Sequence, residues 1–280
     1  MRLRITLQLT RKTAIPINHQ HLLTGVVYRF LERANADYAS FLHEQGYPEI
    51  REPDEAAGGS PHRFKLFVFS PVRSTQRRVT PEHLWLGPGE AHWLVSSPLE
   101  PFLMNFASGL LADSALQVGS ATLPIAQVET LSTPDFGETA HFICLSPVVV
   151  SVMARASDAG ISPESQRRLP PDYLRPDDPR FSEGVRQNLL AKYSALYGRR
   201  PSDDRLTLAF DQSYLAQHKG TKVITYKEDI RILGAFCPFT LTGSSELIRL
   251  AWEAGVGGKN SGGFGKIEVA QSRTHKNIWI

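Results

Sequence analysis

The chain has 280 residues, 41% hydrophobic and 21% charged, with a formal net charge of +3. That length suits two domains of about 150 residues each, and a charge so near neutral permits a polyanionic partner without declaring one. The longest apolar runs, such as Leu145 to Val152, are broken by Ser and Pro well short of the roughly 18 residues a bilayer span needs, which predicts no membrane segment. The opening MRLRITLQLT alternates like a strand and lacks the apolar block of a signal peptide, so the expected location is cytoplasmic. Cys144 and Cys237 sit inside apolar runs with no CxxC partner, which predicts buried, reduced thiols, no metal and no cofactor.

In chain order, residues 1–10 read as a strand, and from about His19 the spacing of Leu22, Leu23, Val26, Val27, Phe30 and Leu31 predicts a helix. A second helix covers about Ala36 to Gln45 and stops at Gly46, with Pro48 beyond it. Residues 48–62 are acidic and rich in Pro and Gly, the composition of a mobile surface loop. RFKLFVFS then reads as a strand whose alternation puts Lys65 with Phe67 and Phe69, opposite Phe64, Leu66 and Val68. Further strands fall near 83–86, 91–97 and 115–130, and a helical face runs through Phe102, Leu103, Phe106, Leu110 and Leu111. Strand, helix, strand, strand, helix, strand is the ferredoxin-like pattern.

Turn formers gather at STPDFGET, residues 132–139, and nearly the same order begins again. A strand at 140–150 precedes a helix at about 182–197, strands at about 206–211, 221–227 and 231–242, a helix at 244–254, a glycine-rich stretch and a last strand, FGKIEVA. The expected class is α+β: tandem ferredoxin-like (RRM-like) domains, 1–133 and 134–280, with antiparallel sheets and helices on one face. The paired cations Arg77-Arg78, Arg167-Arg168 and Arg199-Arg200 read as solvated loop residues.

The stretch GVGGKNSGGFG, residues 255–265, holds six glycines in eleven residues. It is not a Walker A loop, because Gly258-Lys259 is followed by Asn260 and Gly265-Lys266 by Ile267 where Ser or Thr is needed. It is not a dinucleotide fingerprint either, since Asn260 stands where the third glycine belongs. A turn that needs left-handed backbone accounts for some of these glycines. Six exceed what one turn needs, and a bare loop against which a polymer's backbone lies, with Lys259 and Lys266 supplying charge, is the alternative.

The spacing of GVG, five residues and GFG resembles the C-terminal signature of the CRISPR precursor-RNA processing endoribonucleases of the RAMP superfamily. INHQHLLTGVVYRFL (17–31), FLHEQG (41–46), FKLFVFSPV (64–72) and LSPVVV (145–150) resemble further blocks of that family in the expected order, with 48–62 and part of 73–95 unmatched. The resemblance implies an enzyme that binds CRISPR repeat RNA and cuts it once without metal. The substrate's own 2′-OH would attack, leaving a 2′,3′-cyclic phosphate and a 5′-OH. Such chemistry asks for a base, an acid and a cation or donor on the phosphate.

On this resemblance the catalytic candidates are His43, Tyr28 and Lys65, with His19 in reserve. Histidine is the residue type whose unperturbed pKa allows proton transfer in either direction near neutrality. A helix cap for His43, a core position for Tyr28 and a solvated strand position for Lys65 are the structural alternatives. The RNA-binding candidates are Gly255, Gly257, Lys259, Asn260, Ser261, Gly263, Gly265 and Lys266 of the glycine stretch, with Lys222 and Lys227 of TKVITYKED. Tyr226, on the same strand face as Lys222, would stack a base. The expected partners are repeat RNA and, beyond it, other CRISPR effector subunits or a second copy of the chain. The competing reading is a RAMP-type subunit that holds RNA without cutting it.

Overall fold

The computed structural model describes residues 1–51, 61–152, 172–227 and 230–270. Most of the predicted loop at 48–62, and the pair Arg167-Arg168, lie outside the described residues. In the first half, β1 (Arg2–Leu9) leads to α1 (Gln20–Ala34), α2 (Ala36–Glu44), β2 (Val68–Phe69), β3 (Gly89–Ser96), α3 (Glu100–Leu111), β4 (Ala115–Val118) and β5 (Ala121–Leu131). The sheet runs β4-β5-β1-β3-β2, with Arg73–Ser74 also paired to β3. Every pair in it is antiparallel. Without the edge strand β4, this is the fourth-first-third-second order of a βαββαβ unit.

The second half repeats that order with β6 (Thr139–Cys144), α4 (Arg180–Tyr197), β7 (Leu206–Phe210), β10 (Phe239–Gly243), α5 (Ser245–Ala254) and β11 (Ile267–Val269) in a sheet β7-β10-β6-β11. A separate hairpin, β8 (Thr221–Tyr226) and β9 (Ile230–Ala235), is inserted between β7 and β10. The α+β class and the tandem ferredoxin-like architecture therefore stand. No described helix is long and apolar enough to cross a membrane.

Each sheet has its own apolar core. The first is closed by the stripe Leu23, Val26, Val27, Phe30 and Leu31 of α1. It includes an aromatic stack in which Phe67 and Phe102 lie 4.7 Å apart. Helices α1 and α3 approach closely enough that a Cβ on Gly109 would fall 1.9 Å from the Phe30 carbonyl oxygen. The second core gathers Phe142, Leu189, Phe239, Leu241 and Trp252. Both cysteines are free and buried, as expected.

Two predicted strands are corrected, and a third, at 83–86, forms where expected but in a different sheet. RFKLFVFS is broken: Arg63–Phe64 pairs with Tyr47–Pro48, Val68–Phe69 pairs with β3, and Leu66 between them has a left-handed φ of 53°. Leu66, Phe67, Val68 and Phe69 are all buried, so the alternation on which the placement of Lys65 rested does not hold. Both faces are covered, one by the helices and the other by the glycine-rich turn of the second half. Residues 83–86 belong to a small sheet with Thr13–Pro16 and Arg77–Val79. The predicted strand 231–242 is two strands, split at 236–238 where Pro238 carries no N–H to donate.

Candidate active site and RNA interface

The junction of α1 and α2 organises the first cluster. Asn35 ends α1 and caps α2, its side chain accepting from the Tyr38 N–H at 2.9 Å. The two helices fold back on each other, so that Tyr28 of α1 meets His43 in the last turn of α2 edge to face, with ring centroids 5.1 Å apart. Gly46, at φ 62°, ends α2 and turns the chain. A Cβ there would fall 2.7 Å from the Phe64 carbonyl oxygen, so bare backbone at Gly46 lets residues 63–65 pass close behind the helix end.

Lys65 consequently reaches the end of α2. Its ammonium donates to the carbonyl oxygens of Leu42, at 2.5 Å, and His43, and lies 5.8 Å from the Tyr28 ring centroid. These are carbonyls that a helix C-terminus leaves without partners. Two of the three ammonium N–H groups are thus engaged and one is left. Partial burial lowers the Lys65 pKa from its ordinary value. His43 is exposed, whereas Tyr28 and Lys65 are half-buried. The three catalytic candidates thus gather at the end of α2, with His43 on the surface and the Tyr28 hydroxyl buried.

The Tyr28 hydroxyl is buried and has no hydrogen-bond partner among the described residues. Burial pushes the phenol above its ordinary range, which keeps its proton in place as a donor. Removing this oxygen costs the fold no hydrogen bond. Tyr28→Phe should therefore leave the unfolding free energy unchanged or raise it by up to about 1 kcal/mol. RNA cleavage under single-turnover conditions should slow by at least about tenfold in the same variant. Chemical denaturation and a cleavage time course read the two separately.

His19 is not part of this cluster's chemistry. It is 4% exposed, its Nδ1 donates to the Pro16 carbonyl oxygen at 3.0 Å, and its Nε2 accepts from the Val72 N–H at 3.3 Å. Those two bonds fix a neutral ring that ties the start of α1 to the segment just after β2. Burial lowers its pKa from 6.5 to about 4. The unfolded chain binds a proton near pH 6.5 and the folded chain only near pH 4, so stability present above 6.5 is lost as the pH falls through that window. The loss should be about 3 kcal/mol. It should be missing from His19→Gln when urea midpoints are compared across the same pH range.

The glycine-rich turn is a joint between the halves. Gly255, Gly257, Gly263 and Gly265 all have positive φ and are buried. The buried Asn260 amide donates to the carbonyl oxygens of Val256, at 3.3 Å, and Phe264, at 3.0 Å. Around this centre Val256 N–H donates to the Gly265 carbonyl at 2.9 Å, Gly265 N–H to Pro147 at 2.7 Å and Gly258 N–H to Val149 at 2.8 Å. The first half grips the same turn: Gln20 donates to the Gly263 carbonyl at 2.7 Å and Thr24 to the Ser261 carbonyl at 3.1 Å. Both donors are on α1, the helix that carries Tyr28. The glycines are there because Val68, Phe69 and Val149 lie where side chains would otherwise go.

Several proposed RNA contacts are corrected by this packing. Lys266 is 0% exposed and donates to the Ser96 hydroxyl across the joint. Asn260 and the four glycines spend their polar groups inside the protein. Tyr226 is half-buried, its ring packed against His21 and Phe264 with centroids 6.1 and 5.9 Å away. Lys259, Lys222 and Lys227 are exposed and Ser261 is half-buried, so these four can meet a ligand.

The joint also contains residues that sequence reasoning missed. Lys192 is buried on α4, where it donates to the carbonyl oxygens of Gly255 and Gly257 at 2.8 and 2.9 Å. Burial lowers its pKa to about 7. Its place on the Val185, Leu189 helical face was the available signal. Arg2 is also fully buried: it pairs with Glu268 at 2.6 Å, donates to the Trp252 and Ile267 carbonyls, and lies 3.7 Å over the Trp252 ring.

Comparison with known proteins agrees with this architecture. Residues 131–269 match the family described as CRISPR associated protein Cas6, C-terminal. The chain is 28% identical over 277 residues to CRISPR-associated endoribonuclease Cas6 1 of Methanocaldococcus jannaschii, covering 99% of this chain and 96% of that protein. It is 24% identical to CRISPR-associated endoribonuclease Cas6 of Pyrococcus furiosus, over 95% of this chain and 88% of the relative. The solved structure titled "Characterization of a Cas6-related gene from Pyrococcus furiosus" superposes with a TM-score of 0.78 at 19% identity, over 98% of this chain and 99% of its own, which speaks for the fold. The chain belongs to the Cas6 family of CRISPR-associated proteins.

Proposed function

We propose that this chain is an endoribonuclease that cleaves CRISPR repeat RNA within the precursor transcript, using the substrate's own 2′-OH as nucleophile. The observation that carries the reading is the convergence of Tyr28, His43 and Lys65 at the end of α2, in a chain whose full-length relatives are named endoribonucleases. His43 moves the proton, taking it from the 2′-OH or giving it to the leaving 5′-oxygen. Tyr28 donates its free hydroxyl to orient the attacking or phosphoryl oxygen. The remaining N–H of Lys65 faces the charge that builds on the phosphate.

In this reading residues 1–133 carry the reacting groups, and 134–280 supply the turn that holds α1 together with RNA contacts at Lys259, Ser261, Lys222 and Lys227. The reaction is cytoplasmic and metal-independent. Other CRISPR effector subunits or a second copy of the chain are further partners, visible as added mass in light scattering with and without RNA. The direct test is to incubate the protein with its host's repeat RNA in EDTA. One cut at one phosphodiester supports the enzyme. Tight binding without any cut would make the chain an RNA-holding subunit.

A further inference from the structure

The small sheet of Thr13–Pro16, His83–Leu86 and Arg77–Val79 is extra to both βαββαβ units. Its inner face is apolar: Ile15, Leu84 and Leu86 join the first core. Its outer face is built differently. Trp85 and His83 alternate outward from Leu84 and Leu86, with ring centroids 6.1 Å apart. The register places Arg78 directly opposite Trp85 on one side and Ala14 on the other, while Pro16 lies opposite His83. Facing cross-strand residues share a face, so one guanidinium borders the indole and two small residues leave room beside the rings. The Lys12 ammonium lies 4.7 Å from the Trp85 ring centroid.

Charge is concentrated here. Residues 10–16 and 71–87 hold Arg11, Lys12, Arg73, Arg77 and Arg78 against the single acid Glu82, in a chain whose whole net charge is +3. Glu82 itself lies 3.9 Å from His83. Arg77–Val79 is an edge strand, exposed along its whole length, so its backbone is open as well. Across the junction of the two halves, Lys222 adds a further cation. The side chain is exposed, yet local desolvation of its ammonium, then the neighbouring Arg73 and Arg77, lowers its pKa from the ordinary value. A like-charged cluster of this kind is stabilised by an anion.

Aromatic rings interleaved with cations on the open face of a sheet are what single-stranded nucleic acid binds: bases stack on the rings and phosphates meet the cations. An anionic membrane would use the charge but offers no planar base to stack on the rings. We infer that this outer face is a second, non-catalytic site for unpaired RNA, in which a base stacks on Trp85 and its flanking phosphates meet Arg78 and Lys12. Exposed Lys12 leaves the ring for the phosphate of the stacked nucleotide. The site rests on the RNA-binding reading above and extends it, because such a face would hold single strand that flanks the cleaved repeat.

The experiment measures binding of a short oligouridylate, which carries no repeat sequence, to wild type, Trp85→Ala, Trp85→Phe and Arg78→Ala over a salt series. Trp85→Ala should bind about tenfold more weakly, whereas Trp85→Phe keeps the stacking surface and most of the affinity. Arg78→Ala should reduce the slope of log K against log salt by about 0.7, the value for one phosphate contact on a single strand. All variants should cut repeat RNA at the wild-type rate under saturating protein. Wild-type affinity in Trp85→Ala, an equal loss in Trp85→Phe, or an unchanged salt slope in Arg78→Ala would overturn the inference. So would binding to phosphatidylserine vesicles with oligouridylate ignored. Failure of wild type to cut repeat RNA, with Trp85-dependent oligouridylate binding intact, would instead overturn the endoribonuclease reading alone.

Discussion

Replacing His43 by alanine should slow single-turnover cleavage of repeat RNA by about 10²- to 10⁴-fold, the range for loss of one general acid or base. RNA affinity should stay near the wild-type level, because in this reading the cations Lys259, Lys222 and Lys227 hold the RNA and His43 acts at the cut. Stability should change little too. The ring's described aromatic contact is the edge-to-face one with Tyr28, at 5.1 Å, and such a pair contributes about 0.5–1.5 kcal/mol. Cleavage rate, filter binding and thermal unfolding on the same preparation separate these effects. Loss of binding in step with loss of cutting would mean that His43 is an RNA contact instead.

The second large effect is on the joint. Gly265→Ala would place a Cβ 2.0 Å from the Val256 carbonyl oxygen and 2.7 Å from the Asn260 amide, on a backbone with φ of 71°. Strained backbone and a clash with the turn's own centre act together, so a loss of at least about 2–3 kcal/mol is expected. For a chain of this size that corresponds to a melting temperature lower by about 4–6 °C. Gly258→Ala is the matched control. Its Cβ would meet only the Val149 carbonyl oxygen, at 3.7 Å, an ordinary contact. Differential scanning calorimetry should show the first variant well below wild type and the second within about 1 °C of it.

Local pattern was legible where one face of an element is buried and the other is wet. The α1 stripe, the α2 stop at Gly46 and the repeated strand order could be read because periodicity and punctuation report such elements directly. It failed where a second layer covers the other face. Leu66 to Phe69 are buried throughout, since the glycine-rich turn of the second half lies against them, and no alternation survives. The same blindness made Lys266 read as a surface cation. Its burial depends on Ser96, 170 residues away in sequence. The glycines do supply bare backbone, but the protein's own atoms lie against it: Val68 and Phe69 of the first half at Gly255 and Gly263, and the carbonyls of Val149 and Val256 at Gly257 and Gly265. The site was legible mainly through resemblance: nothing in the spacing of Tyr28, His43 and Lys65 predicts that a helix end, a glycine and a broken strand bring them together.

The central claim is that the RNA itself supplies the nucleophile beside His43. The measurement that tests it most directly is the chemical identity of the ends left on repeat RNA, mapped beside a substrate with a 2′-deoxy sugar at the cut. The ribose substrate should leave a 2′,3′-cyclic phosphate and a 5′-OH, and the deoxy substrate should stay uncut. A 5′-phosphate end, or cleavage of the deoxy substrate at the wild-type rate, would contradict that claim.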